Sequence, residues 1–105
     1  MMIKVLFWLL CVMFSGQVSA AGIIELADRK GCFVCHSINK HGIGPSWSEV
    51  AGRYRDQDGA ANKLAASILY GSMGTWGDRP MRGQAKRIDK KQAKQIADFI
   101  LNLAK

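Results

Sequence analysis

Several things are scarce in this chain. It has three cysteines, two prolines and two histidines in 105 residues. Three cysteines are too few for the multiple disulfides that hold many small exported domains together. No apolar run reaches the roughly 20 residues needed to span a bilayer comfortably. No stretch alternates apolar and polar residues convincingly enough for a strand, and there is neither an internal repeat nor a low-complexity tract. Acidic residues are also few, 8 against 15 Lys plus Arg. No nucleic-acid-binding motif accompanies that basic excess, so nucleic acid is a poor fit as partner.

The first twenty residues have the pattern of a secretory leader. Lys4 is a positive n-region, Val5 to Phe14 an apolar h-region, and Val18 and Ala20 occupy the positions a signal peptidase reads. Cleavage is expected after Ala20, leaving residues 21–105 as one small domain. Cys11 lies within the h-region and leaves with the leader. A lipoprotein would need a small residue before that cysteine, and Leu10 stands there. The domain then carries 14 Lys plus Arg against 8 Asp plus Glu, near +6. The excess is either a solvated basic face or a surface that steers the protein toward acidic partners.

Two cysteines remain after the leader is removed, and they stand in Cys32-Phe33-Val34-Cys35-His36. This is the c-type haem attachment pattern. Each thiol adds to one vinyl group on a haem edge, and the next residue stands under the iron as proximal ligand. Zinc sites and redox dithiols also use Cys-x-x-Cys, but neither needs His36. A zinc or dithiol protein is thus a remote alternative.

Periodicity predicts helices and turns around that motif. Ile23 to Ile38 opens the domain as a helix leading into the cysteine pair. Asn39 to Ser46 is a loop with Gly42, Gly44 and Pro45. Ser46 or Ser48 caps a short helix carrying Trp47, Val50, Ala51 and Tyr54. Arg53 to Gly59 is a surface loop. Ala60 to Tyr70 is helical, with Gly71 placed to stop it. Gly71 to Lys86 is an irregular loop, and long loops in compact domains usually have a function. Asp89 to Ala104 is the clearest helix. Asp89 and Gln92 stand in capping-box positions, and Ile96, Phe99, Ile100 and Leu103 form one stripe. The expected fold is all-α. About 85 residues make a marginal core on their own, so the haem-free chain is predicted to be largely unfolded.

Three residues are candidates for the second axial position: Met73, Met81 and His41. Met81 follows Pro80 deep in the irregular loop, which can fold over a haem face. Its thioether is soft and uncharged. Met73 lies just past the helix stop and is expected to pack. His41 is five residues after His36 and is read as a loop residue, too close to reach the opposite haem face readily.

The segment Gly71-Ser72-Met73-Gly74-Thr75-Trp76-Gly77-Asp78-Arg79-Pro80-Met81 resembles the ligand loop of the small bacterial class I cytochromes c. The similarity extends to Cys32–His36, Gly44-Pro45, the Trp47 to Tyr54 segment and the terminal helix. This resemblance implies about four helices wrapped around one covalent haem c. It implies thioethers at Cys32 and Cys35 and axial ligands at His36 and Met81. It further implies a hydrogen bond from His36 to the Pro45 carbonyl, and Trp76 at the haem edge with its indole N–H available to a propionate. Gln84 would be an amide near the methionine sulfur, and Phe99 would pack near Ala27 where the first and last helices cross. Relatives often have Pro-Pro after the methionine. Here Arg82-Gly83 follows, which leads to the expectation of a softer loop and a more labile iron–Met81 bond.

The implied activity is one-electron shuttling in the periplasm between respiratory redox proteins, with no catalysis. Such a carrier is a soluble monomer without a membrane anchor, docking through basic residues such as Arg79, Arg82, Lys86 and Arg87 on acidic partner surfaces. Two other readings share the motif: a haem c subunit of a larger exported dehydrogenase, and a haem enzyme or small-ligand sensor with Met81 off the iron.

Overall fold

A computed structural model describes residues 18–104. Lys4, Val5 to Phe14 and Cys11 of the expected leader lie outside the described residues. Helix α1 spans Ala20–Arg29, α2 Trp47–Tyr54, α3 Ala60–Tyr70 and α4 Lys90–Asn102. Among the described residues no helix is long and apolar enough to cross a membrane.

Local chemistry sets the helix ends. The Ser19 hydroxyl accepts from the Gly22 amide at 3.1 Å and caps α1. The expected cleavage after Ala20 therefore falls in the first turn of this helix. Ser46, not Ser48, caps α2. Its hydroxyl accepts from Glu49 N at 3.1 Å, and Ser46 N donates to Glu49 Oε2 at 2.7 Å, a complete capping box. Asp89 and Gln92 form the second box as expected, at 2.8 and 3.2 Å. Helix α3 runs as predicted and stops at Gly71, whose φ of +92° an L side chain rarely adopts.

Two expectations are corrected. The opening helix does not run into the cysteine pair but ends at Arg29. Gly31 takes a left-handed conformation, φ +83°, and starts a separate 3-10 turn, Cys32–Val34. The segment after α3 is not irregular either. It forms an antiparallel hairpin, β1 Gly71–Gly74 and β2 Gly77–Arg82, pairing Gly71 with Arg82, Ser72 with Met81 and Gly74 with Gly77. Glycine, aspartate and proline hide this ladder from propensity, because they are depleted in strands. Pro80 is tolerated because a two-stranded ladder has only edge strands.

Helix α4 is the centre of the packing and touches α1, α2 and α3. Its inward stripe of Ala93, Ile96, Ala97 and Ile100 is buried. Across it lie Ile23, Leu26 and Ala27 of α1, Val50 and Ala51 of α2, and Leu64, Ala65, Ile68 and Leu69 of α3. Ala27, Ala93 and Ala97 are fully buried, and such small side chains let α1 and α4 approach closely. Each large aliphatic in this cluster is worth roughly 1.5–3 kcal/mol of burial. Phe99 lies on the expected side of α4. Its ring meets Trp47 edge-on, with centroids 6.0 Å apart.

Candidate haem-binding site

The helices do not close completely. Between the Cys32 turn, α2, α3, α4 and the hairpin lies a cleft of about 600 Å³. That is within the range of roughly 300–1,000 Å³ typical of pockets that enclose a cofactor. Cys32, Cys35, His36, Pro45, Trp76, Met81 and Gln84 all line it. These are the seven residues that the resemblance assigns to the haem, and they come from four separate segments. Trp47, Val50, Leu64, Ile68, Ile96 and Ile100 supply an apolar lining.

The Cys32 turn is rigidly placed. Cys35 N and His36 N both donate to the Cys32 carbonyl, at 3.3 and 3.0 Å. The following loop is laced back: Gly44 N donates to Cys35 O at 2.8 Å, Trp47 N to Ser37 O at 2.9 Å and Ser48 N to Ile38 O at 3.0 Å. This lacing brings the Pro45 carbonyl to 2.7 Å from His36 Nδ1. A carbonyl only accepts, so Nδ1 carries a proton, and in the neutral ring Nε2 presents the lone pair. That is the tautomer an imidazole needs to bind iron. Cys32 and Cys35 are not joined in a disulfide. Burial pushes the Cys32 thiol up, partly offset by a backbone hydrogen bond and the positive charge of Arg87.

Of the three sixth-ligand candidates, Met81 and His41 line the cleft and Met73 does not. Met81, half-buried on β2, lines the cleft beside its ladder partner Ser72. Met73 is 81% exposed at the irregularity between Ser72 and Gly74, so it does not pack as expected. His41 is a loop residue as read, and its Nδ1 lies 3.0 Å from Glu49 Oε2. Gln84 stands at the cleft, but its amide nitrogen donates to the Arg82 carbonyl at 3.0 Å. One of its two amide hydrogens is thus taken by the backbone.

Sequence reasoning did not assign Trp47 or Arg53 to this region, and it read Arg87 only as a docking charge at the haem edge. Trp47 is 3% exposed, with its ring centroid 6.2 Å from that of His36 and 5.1 Å from that of Phe33. The signal was its place in the Trp47, Val50, Tyr54 stripe, which also fits ordinary core. Arg87 lines the cleft and donates to the Lys30 carbonyl at 3.3 Å, tying the end of α1 to the approach to α4. Arg53 reaches the hairpin, a contact no local pattern reports.

A fold of four helices around an apolar cleft, holding two adjacent thiols, a correctly tautomerised imidazole and a thioether, defines a small covalent haem protein. The residues present fit that group: the cleft is apolar and large enough, and His36 is set for metal binding by a carbonyl of this chain. The family model for cytochrome c matches residues 23–104. A cytochrome c-551 of Azotobacter vinelandii is 42% identical over 77 residues, covering 73% of this chain and 92% of that protein. A cytochrome c-552 of Hydrogenobacter thermophilus is 37% identical over 90 residues, covering 82% and 90%. The crystal structure of wild-type Nitrosomonas europaea cytochrome c552 superposes with a TM-score of 0.73 at 38% identity, covering 76% of this chain and 98% of that one. The chain belongs to the cytochrome c family and is of its small, monohaem class I type. It binds one covalent c-type haem through Cys32 and Cys35 and is an electron-transfer protein, not an enzyme.

Proposed function

We propose that this chain is a periplasmic one-electron carrier in which His36 and Met81 are the two axial ligands. When bound, the haem supplies the ferrous–ferric couple. The chain holds it, keeps water from its faces and presents its edge. The observation carrying this reading is that His36, oriented by Pro45 at 2.7 Å, and Met81, on a separate hairpin, line one cleft. A thioether opposite an imidazole closes the coordination sphere and raises the potential relative to bis-histidine ligation. That suits electron exchange better than gas binding.

Residues 1–20 are proposed as a cleaved leader and 21–105 as the mature, freely diffusing, monomeric domain. Its donors and acceptors are redox proteins with acidic docking surfaces. Arg79 and Arg82 are exposed at the cleft and suit that role. Arg87 is partly committed to the Lys30 carbonyl.

Absorption spectra of the purified exported protein test the core of this reading. Pigment should resist acid–acetone extraction. The ferric form should show the weak red-edge band of an iron–thioether bond, and Met81→Ala should abolish it. Persistence of the band in Met81→Ala would remove Met81 as ligand. A mass matching residues 21–105 plus haem tests the leader. For docking, reversing Arg79 and Arg82 should slow electron exchange with an acidic partner at low salt and matter little at high salt. An unchanged low-salt rate would discard the steering role.

A further inference from the structure

The hairpin carrying Met81 is held at both ends, and the two attachments differ in kind. Its base is fixed by backbone: Gln84 N donates to Ile68 O at 2.8 Å and Ala85 N to Leu69 O at 3.1 Å, which satisfies carbonyls at the end of α3. Its tip, Thr75-Trp76 between Gly74 and Gly77, is reached by one side chain from α2. Arg53 Nη1 donates to the Thr75 carbonyl at 2.6 Å. The same guanidinium stacks on the Trp76 ring, 4.5 Å from its centroid. Within the tip, Ser72 Oγ donates to Thr75 Oγ1 at 3.1 Å. The flat guanidinium, with donors in its plane and a face for the indole, suits this double contact better than an ammonium does. Helix α2 also carries Trp47, Val50 and Tyr54 into the cleft. Arg53 therefore ties the element lining the cleft to the element that covers it.

We propose that Arg53 is a positioning residue: a latch on the hairpin tip that sets how readily Met81 leaves the iron and how Trp76 stands at the cleft mouth. This rests on the reading of Met81 as ligand. With the latch closed, the tip cannot swing away from α2, and Met81 on the adjoining strand stays over the cleft. Without it, the hairpin pivots on its backbone-anchored base and the thioether yields to competing ligands.

Imidazole titration of the ferric holoprotein, followed by loss of the iron–thioether band, tests the latch. A stacking contact and one hydrogen bond together correspond to about tenfold in the opening equilibrium. Arg53→Ala should bind imidazole about tenfold more tightly and lose the band at lower pH in an alkaline titration. Arg53→Lys keeps the charge and should recover only part of this. Arg55→Ala is the control, since Arg55 stands one residue past α2 and pairs with its neighbour Asp56 at 3.6 Å. It removes the same charge without touching the hairpin and should behave as wild type. Wild-type affinity in Arg53→Ala, or an equal effect from Arg55→Ala, overturns the proposal. If instead the band survives Met81→Ala, the ligand assignment fails, and that outcome is distinct from failure of the latch.

Discussion

His36 Nδ1 lies 2.7 Å from the Pro45 carbonyl oxygen, and Gly44, the residue before that proline, packs against the same imidazole. A Cβ at Gly44 would stand 2.7 Å from His36 Cε1 and 3.0 Å from Nδ1. The loop can deliver its carbonyl to the ring only because position 44 has no side chain. The Gly44-Pro45 dipeptide thus orients the imidazole and makes room for it.

Gly44→Ala should therefore displace the ring and strain the hydrogen bond to Pro45. Overpacking of this kind costs about 1–3 kcal/mol. The denaturation midpoint of the holoprotein should fall accordingly, with a changed reduction potential because the hydrogen bond tunes ligand basicity. Wild-type values for both would mean that the ring has slack the structure does not show.

Gly83 has a different role from the one the sequence suggests. As added freedom after Met81 it predicts a softer loop. In the structure it is pressed against the end of α3, where a Cβ would lie 2.5 Å from Leu69 O and 2.8 Å from the Tyr70 carbonyl carbon. Gly83→Ala should loosen the hairpin base rather than stiffen it, lowering stability by about 1–3 kcal/mol. Imidazole should then displace Met81 more easily. Tighter Met81 retention in Gly83→Ala would restore the view that glycine serves here for flexibility.

Acid should weaken the start of α2. The hydrogen bond from His41, followed by that from the Ser46 amide, holds the Glu49 carboxyl below its ordinary value of about 4.3. A group depressed on folding contributes stability above its unfolded pKa and loses it as pH falls through the lower folded value. Thermal melts below about pH 4.3 should therefore show wild type losing stability faster than Glu49→Gln, which keeps a capping acceptor but cannot titrate. Parallel curves would show that the carboxylate charge contributes nothing.

Removing the haem should unfold the domain. The cleft of about 600 Å³ takes its apolar lining from α2, α3 and α4, so the helices lose a shared surface when it is empty. The Cys32→Ala, Cys35→Ala protein, purified without haem, should show little helical circular dichroism and no cooperative melt. A native-like melt would show that the side chains suffice alone.

How far the site was legible depends on the distance over which each signal acts. Cys32, Cys35 and His36 were readable because the chemistry fixes their spacing within five residues. The cap at Asp89 was readable, and that of α2 was narrowed to Ser46 or Ser48, because capping is a local exchange between a side chain and amides three residues on. The break at Gly31 was missed, since an apolar pattern continues through it into Phe33. The hairpin was missed because its residues have little preference for strands; they pair because α3 and the Gln84 segment bring their ends together. Met81 was readable as the candidate at the cleft from its place after Pro80 and from the resemblance, whereas the exposure of Met73 was not, because it follows from the irregularity in the ladder between Ser72 and Gly74.

The sequence by itself determined the covalent chemistry, the helices and the family, because thiol spacing, capping and 3.6-residue periodicity act over a few residues along the chain. Tertiary structure decided the close approach of Gly44 to the His36 ring, the exposure of Met73, and the reach of Arg53 to Thr75 across 22 positions. Those outcomes depend on which backbone atoms meet after α4 has gathered the other helices. A carbonyl at 2.7 Å or a forbidden Cβ is a property of that meeting, and no local stretch of residues encodes it alone.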